Sequence, residues 1–214
     1  SDNVELTAGL RYSYSDKDGI SIINGAAPGT PSVNDPLCAP LVFVTALCNN
    51  RSFETKRSEN DWSGTFSARY LWNEDVSTYA SYSRGYKAGG INFDRESVSD
   101  AGGVVVDLSQ FDPEYVDSFE LGLRSSLFDG RVTLNLTAFY SDFTDFQLNS
   151  FNGIAFTVIS IPKAVSKGFE LDFSTLIYRD LQFDLGVSYT DARFADDLGG
   201  GDLAVYEGQR LPES

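Results

Sequence analysis

Four groups of side chains in this sequence could do chemistry, and their spacing limits what that chemistry is. Glu170 with Asp172, or Glu120 with Asp184, offers the two carboxylates a glycosidase uses. Asp16-Lys17-Asp18-Gly19 has the oxygen-rich start of a calcium loop but lacks the remaining ligand spacing. Arg84, Tyr86, Lys87 and Asn92 put two cations, a phenol and an amide close together. Such a set could hold an anionic ligand, because a guanidinium presents fixed donors to carboxylates. Cys38 and Cys48 are the only thiols, too few for a thiolate zinc site. The chain has no His, which excludes a His base, a His metal ligand and a His-dependent triad. No catalytic residue, metal site or resident cofactor is assigned.

The elements that carry these residues show a two-residue period, the mark of a strand with two different faces. Along 4–14 one face reads Val4, Leu6, Ala8, Leu10, Tyr12, Tyr14. The other reads Glu5, Thr7, Gly9, Arg11, Ser13. Segments 132–141 and 181–190 repeat this, with Phe139 the one apolar residue on the polar face. Segments starting at Trp62, Val76, Phe119 and Phe169 follow it less strictly. The expectation is an all-β antiparallel meander of seven strands, each about ten residues long. The candidate carboxylates fall on the polar faces and are read as wall charge, not as a catalytic pair.

Connections alternate between long and short. Asn73-Glu74-Asp75, Asp129-Gly130 and Tyr178-Arg179-Asp180 are short turns. The stretches around Gly25–Cys48, Gly89–Asp112, Asn149–Pro162 and Ala195–Gly208 are longer. No linker or low-complexity tract divides the chain. Sixteen Lys and Arg stand against 31 Asp and Glu, for a net charge of −15. That charge repels nucleic acid. Many of the acids lie in the long loops: Asp94, Glu96, Asp100, Asp107 and Asp112, then Asp196, Asp197, Asp202 and Glu207. They are read as solvated loop charge. The chain starts at Ser1 and contains no Met, which fits a segment of something longer.

Three architectures carry such a meander: a soluble sandwich, a small soluble barrel, and a transmembrane barrel with its apolar face in lipid. Strand length, aromatics at strand ends and short turns opposite long loops favour the third. Tyr12, Tyr14, Tyr140 and Tyr189 would form one interfacial belt; Tyr70, Trp72, Phe128 and Tyr178 would form the other.

The segment 79–92, Tyr-Ala-Ser-Tyr-Ser-Arg-Gly-Tyr-Lys-Ala-Gly-Gly-Ile-Asn, resembles a stretch of TonB-dependent outer-membrane receptors. So do 113–125, 128–143 and 166–173, the last most like receptors for iron complexes. The resemblance covers roughly Trp62 to Phe194 in order and spacing. It implies that the chain forms about a third of a roughly 22-stranded barrel. The plug domain, the TonB box and the closing strand are absent from this chain. The implied location is the bacterial outer membrane, and the implied function is TonB-driven uptake of a ferric siderophore or similar scarce nutrient. Implied partners are that iron chelate, outer-membrane lipid and lipopolysaccharide, and the TonB complex. Arg84, Tyr86, Lys87 and Asn92, where strand three enters an external loop, are the candidate ligand contacts. Their alternative is wall bonding and plug contact. Cys38 and Cys48, nine residues between them in an external loop, are expected to form a disulfide in that oxidising compartment. A passive porin or structural surface barrel, and a soluble all-β binding module, are the competing readings.

Overall fold

The computed structural model describes residues 3–23, 51–93, 110–151, 156–178 and 181–211. Seven long strands form one antiparallel sheet: β1 (Val4–Ile23), β2 (Arg51–Leu71), β3 (Val76–Lys87), β6 (Glu114–Leu127), β7 (Val132–Phe151), β8 (Phe156–Tyr178) and β9 (Leu181–Phe194). They lie in chain order, with β1 and β9 at the edges. A second, two-stranded sheet joins β4 (Gly90–Ile91) to β5 (Gln110–Phe111), within the connection between β3 and β6. Asp94, Glu96, Asp100, Asp107, Cys38 and Cys48 lie outside the described residues.

The strands are longer than the period of the sequence shows. β7 has 20 residues and β8 has 23. The stretch Asn149–Pro162, read from sequence as a loop, is mostly strand: Phe146 to Phe151 pairs with Phe156 to Ile161. Polar residues dominate both faces of β1 and β2 beyond the belt, so hydrophobic alternation fades there while backbone pairing continues.

Short turns close one end of the wall. Asn73 Oδ1 accepts from the amides of Asp75 and Val76 at 2.9 and 2.8 Å, fixing the first turn by side chain. The second turn is wider than the Asp129-Gly130 pair suggests. The last ladder pair is Leu127 with Val132, and Phe128, Asp129 and Gly130 all have positive φ. The left-handed conformation is ordinary for Gly130 and unusual for Phe128.

Register fixes the faces. Tyr82 pairs with Phe66 and Phe119, and Leu121 pairs with Ala80 and Ala138. The apolar residues therefore share one face across the sheet. They are not packed away: Leu10 is 76 %, Leu6 66 % and Leu121 63 % exposed. A row of exposed leucines is costly in water and favourable in hydrocarbon. The opposite face is polar, with Arg69 on Glu5 at 3.3 Å, and Tyr79 donating to Glu120 under Arg124.

The apolar face ends abruptly. Moving outward by two residues, Tyr14 gives way to Asp16, Trp62 to Asn60, Tyr82 to Arg84 and Phe119 to Asp117. Likewise Tyr140 gives way to Asp142, Phe169 to Lys167 and Tyr189 to Asp191. All seven strands cross from aromatic to polar in one step, which marks the outer membrane boundary. Beyond it the strands continue as a collar. A small apolar cluster sits on the collar, where Ile161, Ala164, Phe194 and Leu198 are buried together. The stretch 195–211, with a 3-10 turn at Gly201–Tyr206, folds over that cluster.

Candidate functional site

The collar is where chemistry concentrates. Pairing between β2 and β3 ends at Gly64 with Arg84, although β1 and β2 stay paired to Arg51 and β3 and β6 to Lys87. β2 and β3 therefore part above this point. A cavity of about 510 Å³ opens there, lined by Arg11, Gly64, Arg84, Gly85 and Tyr86 among others. Side chains replace the missing ladder. Tyr115 donates to Asp61 at 2.6 Å, its ring lies 5.7 Å from that of Tyr86, and Arg84 stands 5.1 Å above it. Arg84 also meets Asp117 at 3.0 Å.

Two phenols of this seam are hard to ionise. Tyr86 is pushed up to about 12 by burial first and then by the negative charge of Glu59. Tyr115 is also pushed up to about 12, first by its hydrogen bond to Asp61 and then by burial. The seam therefore stays neutral at its phenols. Burial also raises Asp145, with Asp112 adding to the effect.

The hairpin of β4 and β5 is tied across the collar by polar contacts. On one side Lys17 donates to the Gly89 carbonyl, and Gln110 donates to Thr55 Oγ1 at 2.9 Å. Arg57 lies between Glu59 at 2.9 Å, Gln110 at 3.3 Å and Asp112 at 3.7 Å. On the other side Asn92 grips β8. Its amide donates to the Val158 carbonyl and its carbonyl accepts from the Val158 amide, both at 2.8 Å. Gln147 donates to the carbonyls of Ala88 and Asp112, each at 3.0 Å. The strap thus links β1–β2 to β7–β8 over the two strands between them.

The four residues grouped by sequence take different places. Arg84 and Tyr86 meet around Tyr115. Arg84 shares the face of Tyr82, not the polar face of the wall. Lys87 is 62 % exposed, with a loose ion pair to Glu114 at 3.9 Å. Asn92 is buried, with its amide engaged at β8. Glu120 and Asp184 are separated by β7 and β8, so they cannot flank one bond. Glu170 and Asp172 are successive residues on the polar face of one strand. Asp16 and Asp18 belong to β1 and face Ser58 and Lys56. Sequence reasoning missed Asp61, Tyr115, Arg57 and Gln110. Apart from the Arg57–Glu59 pair, their partners named above are over 50 positions away, and only Tyr115 lies in a family-like segment.

The family model described as TonB dependent receptor-like, beta-barrel, matches residues 1–214. The chain belongs to the TonB-dependent receptor β-barrel family. Among curated relatives, the pesticin receptor of Yersinia pestis is 29 % identical over 157 residues, covering 73 % of this chain and 21 % of its own length. Among solved structures, the ferric yersiniabactin uptake receptor FyuA of Yersinia pestis aligns with a TM-score of 0.66. It is 21 % identical and covers 92 % of this chain and 25 % of that receptor. The siderophore receptor PiuA of Acinetobacter baumannii aligns at 0.64 and 15 % identity, over 99 % of this chain and 27 % of its own. The chain thus spans about a fifth to a quarter of the length of the proteins it matches.

TonB-dependent receptors are transporters of the Gram-negative outer membrane, not enzymes, and this chain is a wall segment of that barrel. The open edges of β1 and β9 are consistent with that place, since a membrane sheet must find partners for its edge groups.

Proposed function

We propose that this chain is part of a receptor that imports a ferric siderophore or a similar scarce metal chelate, driven by TonB. One observation carries the reading: the lipid-facing wall continues past the membrane boundary as a polar collar with a hairpin strapped across it. A collar of this kind offers capture surface ahead of the lumen, which uptake of a scarce ligand requires. The names of two similar solved structures, a ferric yersiniabactin uptake receptor and a siderophore receptor, support the same cargo class.

Among the four candidate ligand contacts, the reading gives Lys87 the direct role. Its ammonium is the exposed one, and its ion pair is long enough to exchange for an anionic chelate. Arg84, Tyr86 and Asn92 hold the seam and strap that present it. Domain organisation follows: residues 1–214 contribute seven wall strands and their external loops. The plug and TonB box come from the remainder of the receptor. The reading keeps a disulfide between Cys38 and Cys48, which lie outside the described residues, as a proposal for the oxidising compartment.

Uptake of a radiolabelled ferric chelate by iron-starved cells carrying the full receptor tests the proposal. Accumulation that needs TonB is expected. Equal entry without TonB, together with a steady open conductance in planar bilayers, would establish the passive porin instead.

A further inference from the structure

The Asp16-Lys17-Asp18-Gly19 stretch is strand, not a calcium loop, and two of its residues form half of a small plate. In the β1–β2 ladder Lys17 stands opposite Arg57, and Gly19 opposite Thr55. By register all four share the face that carries Arg11 and Ser63 lower down. Two cations directly opposite each other weaken a strand pair. Here both are used by the strap. Lys17 donates to the Gly89 carbonyl, and Arg57 meets Gln110 at 3.3 Å and Asp112 at 3.7 Å. Thr55, only 4 % exposed, accepts from Gln110 at 2.9 Å.

Gly19 contributes space. Its backbone is ordinary paired strand without a positive φ, so left-handed freedom is not what the position requires. A Cβ at Gly19 would run into the Phe93 ring, with Ile91 Cδ1 3.5 Å away. The strap's ring therefore rests on the bare backbone of β1. Gly89 is its counterpart on the strap, where a Cβ would run into the Phe111 carbonyl and the Arg57 guanidinium. One glycine on each partner lets strap and plate close on each other. The strap also begins just after Lys87, and the chain between them is held from two sides. Gln147 donates to the Ala88 carbonyl at 3.0 Å, and Lys17 donates to the next carbonyl, that of Gly89.

We propose that Lys17 and Gly19 are positioning residues for cargo capture: they seat the strap on β1 and so fix where the Lys87 ammonium stands. The proposal rests on the reading that Lys87 meets the chelate. Lys87 is not held by its own contacts, because it is 62 % exposed and its ion pair to Glu114 spans 3.9 Å. Its place is set by the backbone that leaves β3, and that backbone is tied to β1 through Gly89. Lys17 spends its charge on a carbonyl and Gly19 has no side chain, so both act through the strap and neither touches the chelate.

The full receptor in mild detergent provides the test, read by hydrogen exchange at 88–93 and by binding of the radiolabelled anionic ferric chelate taken up in the assay above. Gly19→Ala adds one methyl under the Phe93 ring. It is expected to raise exchange at 88–93 and to weaken binding by up to about tenfold, the loss expected of Lys87→Ala. Lys17→Met is expected to do the same, and Lys17→Arg to keep most of the parent's behaviour. In a Phe93→Ala background Gly19→Ala should leave exchange unchanged, since no ring remains to displace. In a Lys87→Ala background it should cost no further affinity, since the effect runs through Lys87. Heat-modified gel migration confirms that each variant keeps its barrel. Parent-like exchange in folded Gly19→Ala overturns the seat. Raised exchange with parent-like binding overturns the positioning role, as does a further loss on top of Lys87→Ala. If Lys87→Ala itself binds like the parent, the positioning role falls with the Lys87 contact, and raised exchange in Gly19→Ala locates the failure in that contact and not in the seat.

Discussion

The Tyr115 hydroxyl donates to the Asp61 carboxylate at 2.6 Å, joining β6 to β2 where β2 and β3 no longer pair. That one bond stands in for part of a missing backbone ladder. Tyr115→Phe keeps the ring beneath Arg84 and removes only the hydroxyl. The expected cost is about 1–3 kcal/mol, since a half-buried carboxyl acceptor loses its donor. Faster proteolysis of the collar in the folded receptor, with the membrane-embedded wall unchanged, is the measurement.

The same seam has a pH signature. Tyr86 and Tyr115 both lie at about 12, above the ordinary phenol value of 10.0. A raised folded-state value stabilises fully below the unfolded value and is lost as pH climbs through the folded one. The seam should therefore hold to about pH 10 and loosen between 10 and about 12. A tyrosinate absorbance titration of the intact receptor should show one late phenol fewer in Tyr115→Phe than in the parent.

Asn92 anchors the strap by two bonds to a single residue, Val158. Asn92→Ala removes both. A local loss of roughly 1–3 kcal/mol is expected, confined to the hairpin. Hydrogen exchange should rise at 88–93 and 110–112 and stay constant in β6 and β7. Equal protection in the variant would show that the strap is held by its other contacts, through Lys17, Arg57, Gln110 and Gln147.

If Lys87 meets the cargo, Lys87→Ala should weaken binding of an anionic ferric chelate by about tenfold, the loss of one charge-assisted contact. Lys87→Arg should retain most of it. Arg84→Ala should instead lower collar stability, because it opens the pair with Asp117. Fluorescence quenching by the chelate separates the two effects from a melt.

Gly168 faces Phe139 across the β7–β8 pair, and a Cβ there would meet the Tyr189 backbone carbonyl. Backbone in the middle of a ladder cannot yield as a flexible side chain can. Gly168→Val should cost roughly 1–3 kcal/mol by overpacking. The amount of heat-modifiable receptor in the outer membrane reads it out.

Legibility followed the solvent. Inside the bilayer one face must be apolar, so Leu181 to Tyr189 declares its strand and its orientation by alternation alone. Above Tyr14 and Trp62 both faces meet water, and nothing in Asp16-Lys17-Asp18 or Lys56-Arg57-Ser58-Glu59 marks a strand. Those residues are strand because backbone pairing begun in lipid continues at little cost. The candidate site was legible only in outline. Position along β3 placed Arg84 and Lys87 near the mouth, but face and partner were hidden. Arg84 is held by Asp117, and Asn92 by Val158, through contacts between residues 33 and 66 positions apart.

The 23-residue β8 has a consequence of reach. From Phe169 outward to Phe156 the strand advances by roughly 40 Å along its own axis, or about 30 Å in height at a 45° tilt. The receptor therefore meets its surroundings above the lipid, at the height where surface sugars crowd the cell. A shorter wall would leave its entrance sunk beneath that layer, and each ligand would first have to diffuse through it. The overhang works as a standpipe that lifts the rim of the wall clear of the lipid.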